Sequence, residues 1–204
     1  MSKVLVIGGG AAGMFAAIFA AYNGNEVHIF EKNEKLGNKL FITGKGRCNI
    51  TNAIDMDTLF ASVVTNPKFL YSSFYGYDNQ NVIEFFERIG VRTKVERGNR
   101  VFPVSDHSSD VIGALTKELH QLGVSIHLHT EVKRVVGEGR FEYLETKDGK
   151  KITGDACIVA TGGFSYQTTG STGDGYRFAE ETGHQVTEIG RCRRLSRWSL
   201  KKPT

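Results

Sequence analysis

Hydrophobic residues along this chain come in short blocks set off by glycine. KVLVI (3–7) is an almost continuous apolar run, the pattern of a strand buried on both faces. GGGAAG follows, and then MFAAIFAAYNG, an Ala-rich helical stretch with a stop at Asn23-Gly24. EVHIF (26–30) reads as a second strand and runs into Glu31. Together these form a strand, glycine turn, helix and strand within about 30 residues.

Downstream the pattern changes several times. Residues 32–55 are rich in Gly, Lys and Asn without an apolar period, so they predict a long loop. Residues 57–90 are aromatic and predict helices, with an amphipathic period in NVIEFFERIG. RTKVERGNRVFPV predicts a hairpin turning at Gly98-Asn99. SDHSSDVIGALTKELHQLG predicts a helix capped by Ser108 or Ser109 and ended by Gly123. VSIHLH (124–129) predicts a third parallel strand. EVKRVVG, RFEYLETKDG and KKITG predict a three-stranded meander. ACIVATGG (156–163) predicts another buried strand, with a helix near Gly173–Thr182. The expected class is α/β: a Rossmann-like domain with a parallel sheet, helices on both faces and a β-meander. It spans residues 1–190 and includes a helical excursion at about 55–105.

Composition changes this picture at one place. Hydrophobic content of 40% and charged content of 24% are ordinary for a globular chain, and the formal net charge is +4. Residues 191–204, RCRRLSRWSLKKPT, hold six of the 26 basic residues and no acidic one, which leaves 20 against 22 in the body. A nearly neutral body argues against a nucleic-acid partner. No apolar run approaches the roughly 20 residues of a membrane helix. Cys48, Cys157 and Cys192 form no CxxC pair, which argues against a disulfide framework or a zinc site and points to a reducing cytoplasm. Oligomeric state is left open.

Candidate chemistry starts at Gly8-x-Gly10-x-x-Gly13, with Glu31 standing 18 positions after the last glycine. Gly8 permits a tight turn, Gly10 lets a pyrophosphate approach the backbone, and Gly13 lets the helix pack on the sheet. A carboxylate at Glu31 suits ribose hydroxyls and disfavours a 2′-phosphate. The meander and the strand end Ala160-Thr161-Gly162 suit FAD rather than NAD. In the basic loop, Lys39, Lys45 and Arg47 supply charge while Gly44 and Gly46 free backbone N–H groups to point inward.

EKNEKLGNKLFITGKGRCNITN (31–52), RVFPVSDHSSDV (100–111), ATGGFSYQTTGSTGDGY (160–176) and the N-terminal fingerprint together resemble the BaiN-like (YhiN-type) flavoproteins. These are bacterial FAD-dependent oxidoreductases. The resemblance implies that Gly8, Gly10, Ala12 and Gly13 contact the FAD pyrophosphate, with Glu31 on the adenosine ribose and Lys32 beside it. It places Lys39, Gly44, Gly46, Arg47, Cys48 and Asn49 along the pyrophosphate, ribityl and flavin region. Val132 meets the adenine through its backbone, and Ala160, Thr161 and Gly162 close over the dinucleotide. NAD(P)H or oxygen exchanges electrons with the flavin, and a small organic molecule is the substrate.

Cys48 reads as a packing or flavin-shell residue rather than a nucleophile, and Cys157 as core. His28, His127 and His129 read as sheet-face or core residues, and no catalytic base is assigned. The stretch FLYSSFYGYDNQNVIEFF reads as a small core under the excursion, with a flavin lid as the alternative. Related chains continue into a substrate domain, so this one reads as a truncated, N-terminal portion. A permitted back-translation of residues 192–202, read in a shifted frame, gives PSLVPL, as in the family, which makes the basic tail a candidate frameshift product. The alternative function is an inactive FAD- or ADP-binding fragment.

Overall fold

In the computed structural model, which describes residues 1–189, the first apolar run forms strand β1 (Lys3–Ile7), with its last four residues buried. A glycine turn leads into helix α1 (Ala11–Tyr22) and then strand β2 (Glu26–Phe30). Helix α1 ends where the Asn23 and Gly24 N–H groups bond back to the last turn, with Gly24 in the left-handed region. Next come helix α2 (Asn38–Ile42), a 3-10 turn over Thr43–Gly46 and the short strand β3 (Thr51–Asn52). Helices α3 (Met56–Ala61), α4 (Tyr71–Gly76) and α5 (Asn79–Arg88) make up the excursion. The hairpin β4 (Thr93–Glu96) and β5 (Arg100–Pro103) precedes helix α6 (Ser108–Gln121) and strand β6 (Ser125–His127). The meander β7 (Val132–Val136), β8 (Tyr143–Thr146) and β9 (Lys151–Thr153) leads to β10 (Ala156–Val159) and helix α7 (Asp174–Glu181).

The central sheet runs β10–β1–β2–β6 and is parallel throughout. Successive side chains of β1 point to opposite faces, and both faces are covered. Val4 and Val6 pack with Met14 and Ile18 of α1 and with Leu115 and Leu119 of α6. Leu5 and Ile7 pack with Val135 and Leu144 of the meander and with Phe178 of α7. This two-sided burial is why KVLVI shows no polar alternation.

Three local expectations change. The 32–55 stretch contains α2 and β3, which are too short to print a period on the sequence. The cap of α6 is not a serine side chain: His107 holds the N-cap position without a side-chain bond. Ser108 is buried inside the first turn, and its hydroxyl donates to the Phe41 carbonyl at 2.7 Å, tying α6 to α2. The aromatic stretch divides in two. Phe85 and Phe86 of α5 join the main core beside Phe15 and Phe19. Phe60, Tyr71 and Tyr75 cluster on α3 and α4, where Tyr75 is exposed. The basic tail, including Cys192 and the candidate frameshift, lies outside the described residues.

Candidate functional site

A cleft of about 690 Å³ opens at the carboxyl ends of β1, β2 and β10, where strand order reverses around β1. This is the crevice in which open α/β sheets bind ligands, and its volume suits a small molecule. Its walls carry Gly8, Gly10, Ala12, Glu31, Lys32, Lys39, Val132, Ala160, Thr161 and Gly162, all named from the sequence.

The three fingerprint glycines do different work. Gly8 has φ +103°, and a Cβ there would lie 2.6 Å from the Ala160 carbonyl oxygen. Gly13 supports the helix packing: its Cβ would lie 1.8 Å from the Gly8 carbonyl oxygen. Gly10 is the opposite case, since a Cβ there would meet no atom within 4 Å. It fronts open cleft at the start of α1, whose first turn holds no acidic side chain and no side-chain cap. Such a helix start favours an anion.

Glu31 is buried and already heavily engaged. One carboxylate oxygen accepts the Gly9 N–H at 2.6 Å; the other accepts the Asn33 N–H at 2.9 Å and the Asn33 amide at 2.6 Å. Three donors satisfy a carboxylate that burial alone would penalise. Lys32 reaches across the cleft end to Asp174 and Thr172, each at 2.8 Å. Burial tends to raise the Asp174 carboxyl, but the bonds from Lys32 and Thr172 outweigh it and hold the group below its ordinary range. Lys39 donates to the Ser165 hydroxyl at 3.3 Å, alongside Gly162.

The loop after α2 lies elsewhere. Gly44, Gly46, Arg47, Cys48 and Asn49 do not line the cleft, although Thr43 does. The Arg47 guanidinium bonds to Glu96 and to Asp106 and sits 4.2 Å over the Phe102 ring. Lys94 adds a bond to Asp106 at 2.6 Å. The Arg47 charge, expected to face a phosphate, is thus neutralised within the chain by the hairpin and the turn after it. Cys48 is buried in the main core, where desolvation pushes its thiol up. Cys157 is pushed up to about 12 by burial, so neither described cysteine is a ready nucleophile.

His28 and His127 make a side-chain pair on the meander face of the sheet, with ring nitrogens 3.1 Å apart. His127 stacks on Phe30 at 4.7 Å between ring centres, and His28 bonds to Glu26. This is the sheet-face role. Sequence reading missed Asn33, Thr172 and Asp174 at the cleft end. Thr172 and Asp174 belong to the STGDGY segment, but nothing local said that it folds back onto Lys32 and Asn33. Among the described residues, no three His, Cys, Asp or Glu side chains gather as a metal site, and no helix is long and apolar enough to cross a membrane.

The family model for the HI0933-like protein Rossmann domain matches residues 2–191. The chain belongs to the HI0933-like family. Among curated relatives of this family member, a 3-dehydro-bile acid delta(4,6)-reductase of Clostridium scindens is 32% identical over 93% of the chain and 46% of its own length. A ribosomal RNA dihydrouridine synthase of Haemophilus influenzae is 29% identical over 91% of the chain and 46% of its own length. The chain therefore spans about half the length of these relatives. Among solved structures, the 3-ketosteroid-delta4-(5alpha)-dehydrogenase of Rhodococcus jostii RHA1 superposes with a TM-score of 0.63 at 18% identity, covering 81% of this chain and 46% of that one. A flavocytochrome c3 fumarate reductase gives 0.58 at 21% identity, covering 89% and 40%. These likenesses establish the fold: a Rossmann-like domain.

Proposed function

We propose that the cleft holds FAD and that this domain serves a flavin-dependent oxidoreductase acting on a small organic substrate, with NAD(P)H or oxygen as the electron partner. The observation that carries this reading is the open backbone at Gly10. A turn locked by Gly8 and Gly13 leaves room for a diphosphate at the one place where the first turn of α1 carries no acid. Glu31 fixes the shape of that turn through the Gly9 N–H, and Lys39 stands where it can offset diphosphate charge. Val132 and Ala160–Gly162 supply walls for a long, flat cofactor. These residues fit FAD, which when bound supplies two-electron hydride chemistry. The chain contributes binding, orientation and exclusion of water.

The two curated relatives are both named for products or activities of reduction, which supports reduction as the direction. A small molecule remains the proposed substrate, because the body, with 20 basic against 22 acidic residues, offers no net positive charge to an RNA. The second reading is a flavin-holding unit without turnover. Val159, Phe164 and Tyr166, at the strand end beside the cleft, are each more than 40% exposed, which supports it.

A visible spectrum of the purified 204-residue chain tests both, before and after incubation with FAD. Flavin absorption bleached by NADH or NADPH supports the enzyme, and stable flavin absorption without bleaching supports the holding unit. A chain that stays colourless after incubation overturns the FAD reading.

A further inference from the structure

The adenosine end of the cleft contains a cation whose charge is already spent. Lys32 lines the cleft directly after Glu31, at the place where a dinucleotide fold meets the ribose. A free cation there would welcome a phosphate on the ribose 2′ oxygen. Lys32 is not free. Its ammonium donates to Asp174 and to the Thr172 hydroxyl, and that hydroxyl donates in turn to Asp174 at 2.8 Å. Both partners are largely shielded, with side-chain exposures of 26% and 29%.

The approach of the 169–174 segment is itself built in. A Cβ at Gly170 would lie 2.7 Å from the Asn33 amide nitrogen and 3.2 Å from Lys32 Cε. The Asn33 amide also donates to the Thr169 carbonyl at 3.3 Å. The segment thus meets residues 32 and 33 over several atoms, and Asp174 is delivered to Lys32 by a seated contact rather than by one flexible ion pair. Arg177 stands 3.7 Å from the other Asp174 oxygen, one turn further along α7.

We propose that Asp174 is a specificity-determining residue: it neutralises Lys32 and so makes the cleft select an adenosine ribose without a 2′-phosphate. The inference rests on the reading of the cleft as an FAD site and goes beyond it, because it assigns discrimination to a residue outside the glycine fingerprint. Glu31 sets one layer of repulsion. Asp174 sets the second, and it removes the attraction that Lys32 would otherwise supply. A 2′-phosphate entering the wild-type cleft meets two carboxylates and one spent cation.

The test measures binding of two probes, ADP and its 2′-phosphorylated form, by calorimetry on the full chain. Wild type prefers ADP. Asp174→Asn shifts the ratio toward the 2′-phosphorylated probe by about tenfold. The shift shrinks as salt rises, because the released Lys32 charge is partly exposed. Adding Lys32→Gln to Asp174→Asn abolishes the gain. Should Asp174→Asn fail to fold, Lys32→Gln alone carries the test: it leaves the Asp174 charge facing only Arg177 and moves the ratio further toward ADP. A ratio unmoved by either variant, while wild type binds ADP, overturns this inference and leaves the FAD reading intact. Failure of the wild-type chain to bind ADP or FAD overturns both.

Discussion

The turn after β1 and the loop after α2 look alike in sequence. Each is rich in glycine, and the resemblance assigns both to one cofactor. In the fold they differ in where their polar groups go. The first turn keeps an open side: Gly8 and Gly13 are held by packing against backbone, while Gly10 faces empty space. The second turns its Arg47 charge onto the hairpin. Its left-handed residues, Gly44, Lys45, Gly46 and Cys48, wrap the chain so that Arg47 reaches Glu96 and Asp106. Glycine richness therefore marks a backbone that must bend. Whether the bend serves a ligand depends on whether its donors and charges are left without partners.

The harshest way to break this contrast is to fill the glycine contacts. Gly13→Val puts two methyl groups where even a Cβ would sit 1.8 Å from a carbonyl oxygen. Overpacking of this kind costs about 1–3 kcal/mol and can exceed that, so the urea midpoint of this variant falls sharply and bound flavin is lost with it. Gly10→Ala separates the two roles. Its Cβ meets nothing in the protein, so the midpoint barely moves, while FAD affinity drops by about tenfold or more as the methyl enters the diphosphate space. An Ala variant at Gly10 that keeps full FAD affinity would show that the open backbone there is not the phosphate contact.

Arg47→Met probes the other side of the comparison with a smaller effect. It leaves Glu96 and Asp106 facing Lys94 alone, so residues 43–49 and the hairpin lose mutual anchoring. Hydrogen exchange at this loop speeds up, while flavin content holds. The groups are about a third exposed, and screening limits what the pairs contribute to global stability. Loss of flavin without faster exchange in the loop would mean that Arg47 reaches the cofactor after all, and the contrast between the two loops would fall.

What the sequence revealed, and what it hid, follows the same division. The roles of Gly8 and Gly13 were legible because their constraints are local: a turn geometry and a neighbour five residues away. Strand β1 was legible because two-sided burial leaves an unbroken apolar run; β10, expected to be buried too, lies at the sheet edge with Ala156 and Val159 exposed. The family was legible in the GKGRCNITN and STGDGY blocks. Partner choice was not. Arg47 finds its carboxylates 49 and 59 residues downstream, and Lys32 finds Asp174 at a separation of 142. No window along the chain holds both halves of either pair. Ser108 fits the local rule for a cap, yet the fold offers its hydroxyl the Phe41 carbonyl, and tertiary context wins.

The smallest expected effect concerns the far side of the same sheet, where another pair forms at long range. His28 and His127 stand 3.1 Å apart, so one ring donates and the other accepts. Burial, then His28 and Lys3, hold the His127 imidazole below its ordinary value of 6.5. The Glu26 carboxylate bonds to His28 and lies 3.9 Å from Lys3, so the pair faces one charge that favours its protonation and one that opposes it. Below about pH 6.5 the unfolded chain binds more protons at His127 than the folded chain does. The stability contributed by the neutral ring is therefore present above that value and is lost as pH falls through the lower, folded value. Urea midpoints at pH 7.5 and pH 5.5 check this: wild type drops more between them than His127→Gln does. Because His127 stacks on Phe30, which lines the cleft, the acid loss in wild type carries a matching loss of flavin retention that the variant lacks. Equal drops in the two proteins would assign the acid sensitivity to groups outside this pair.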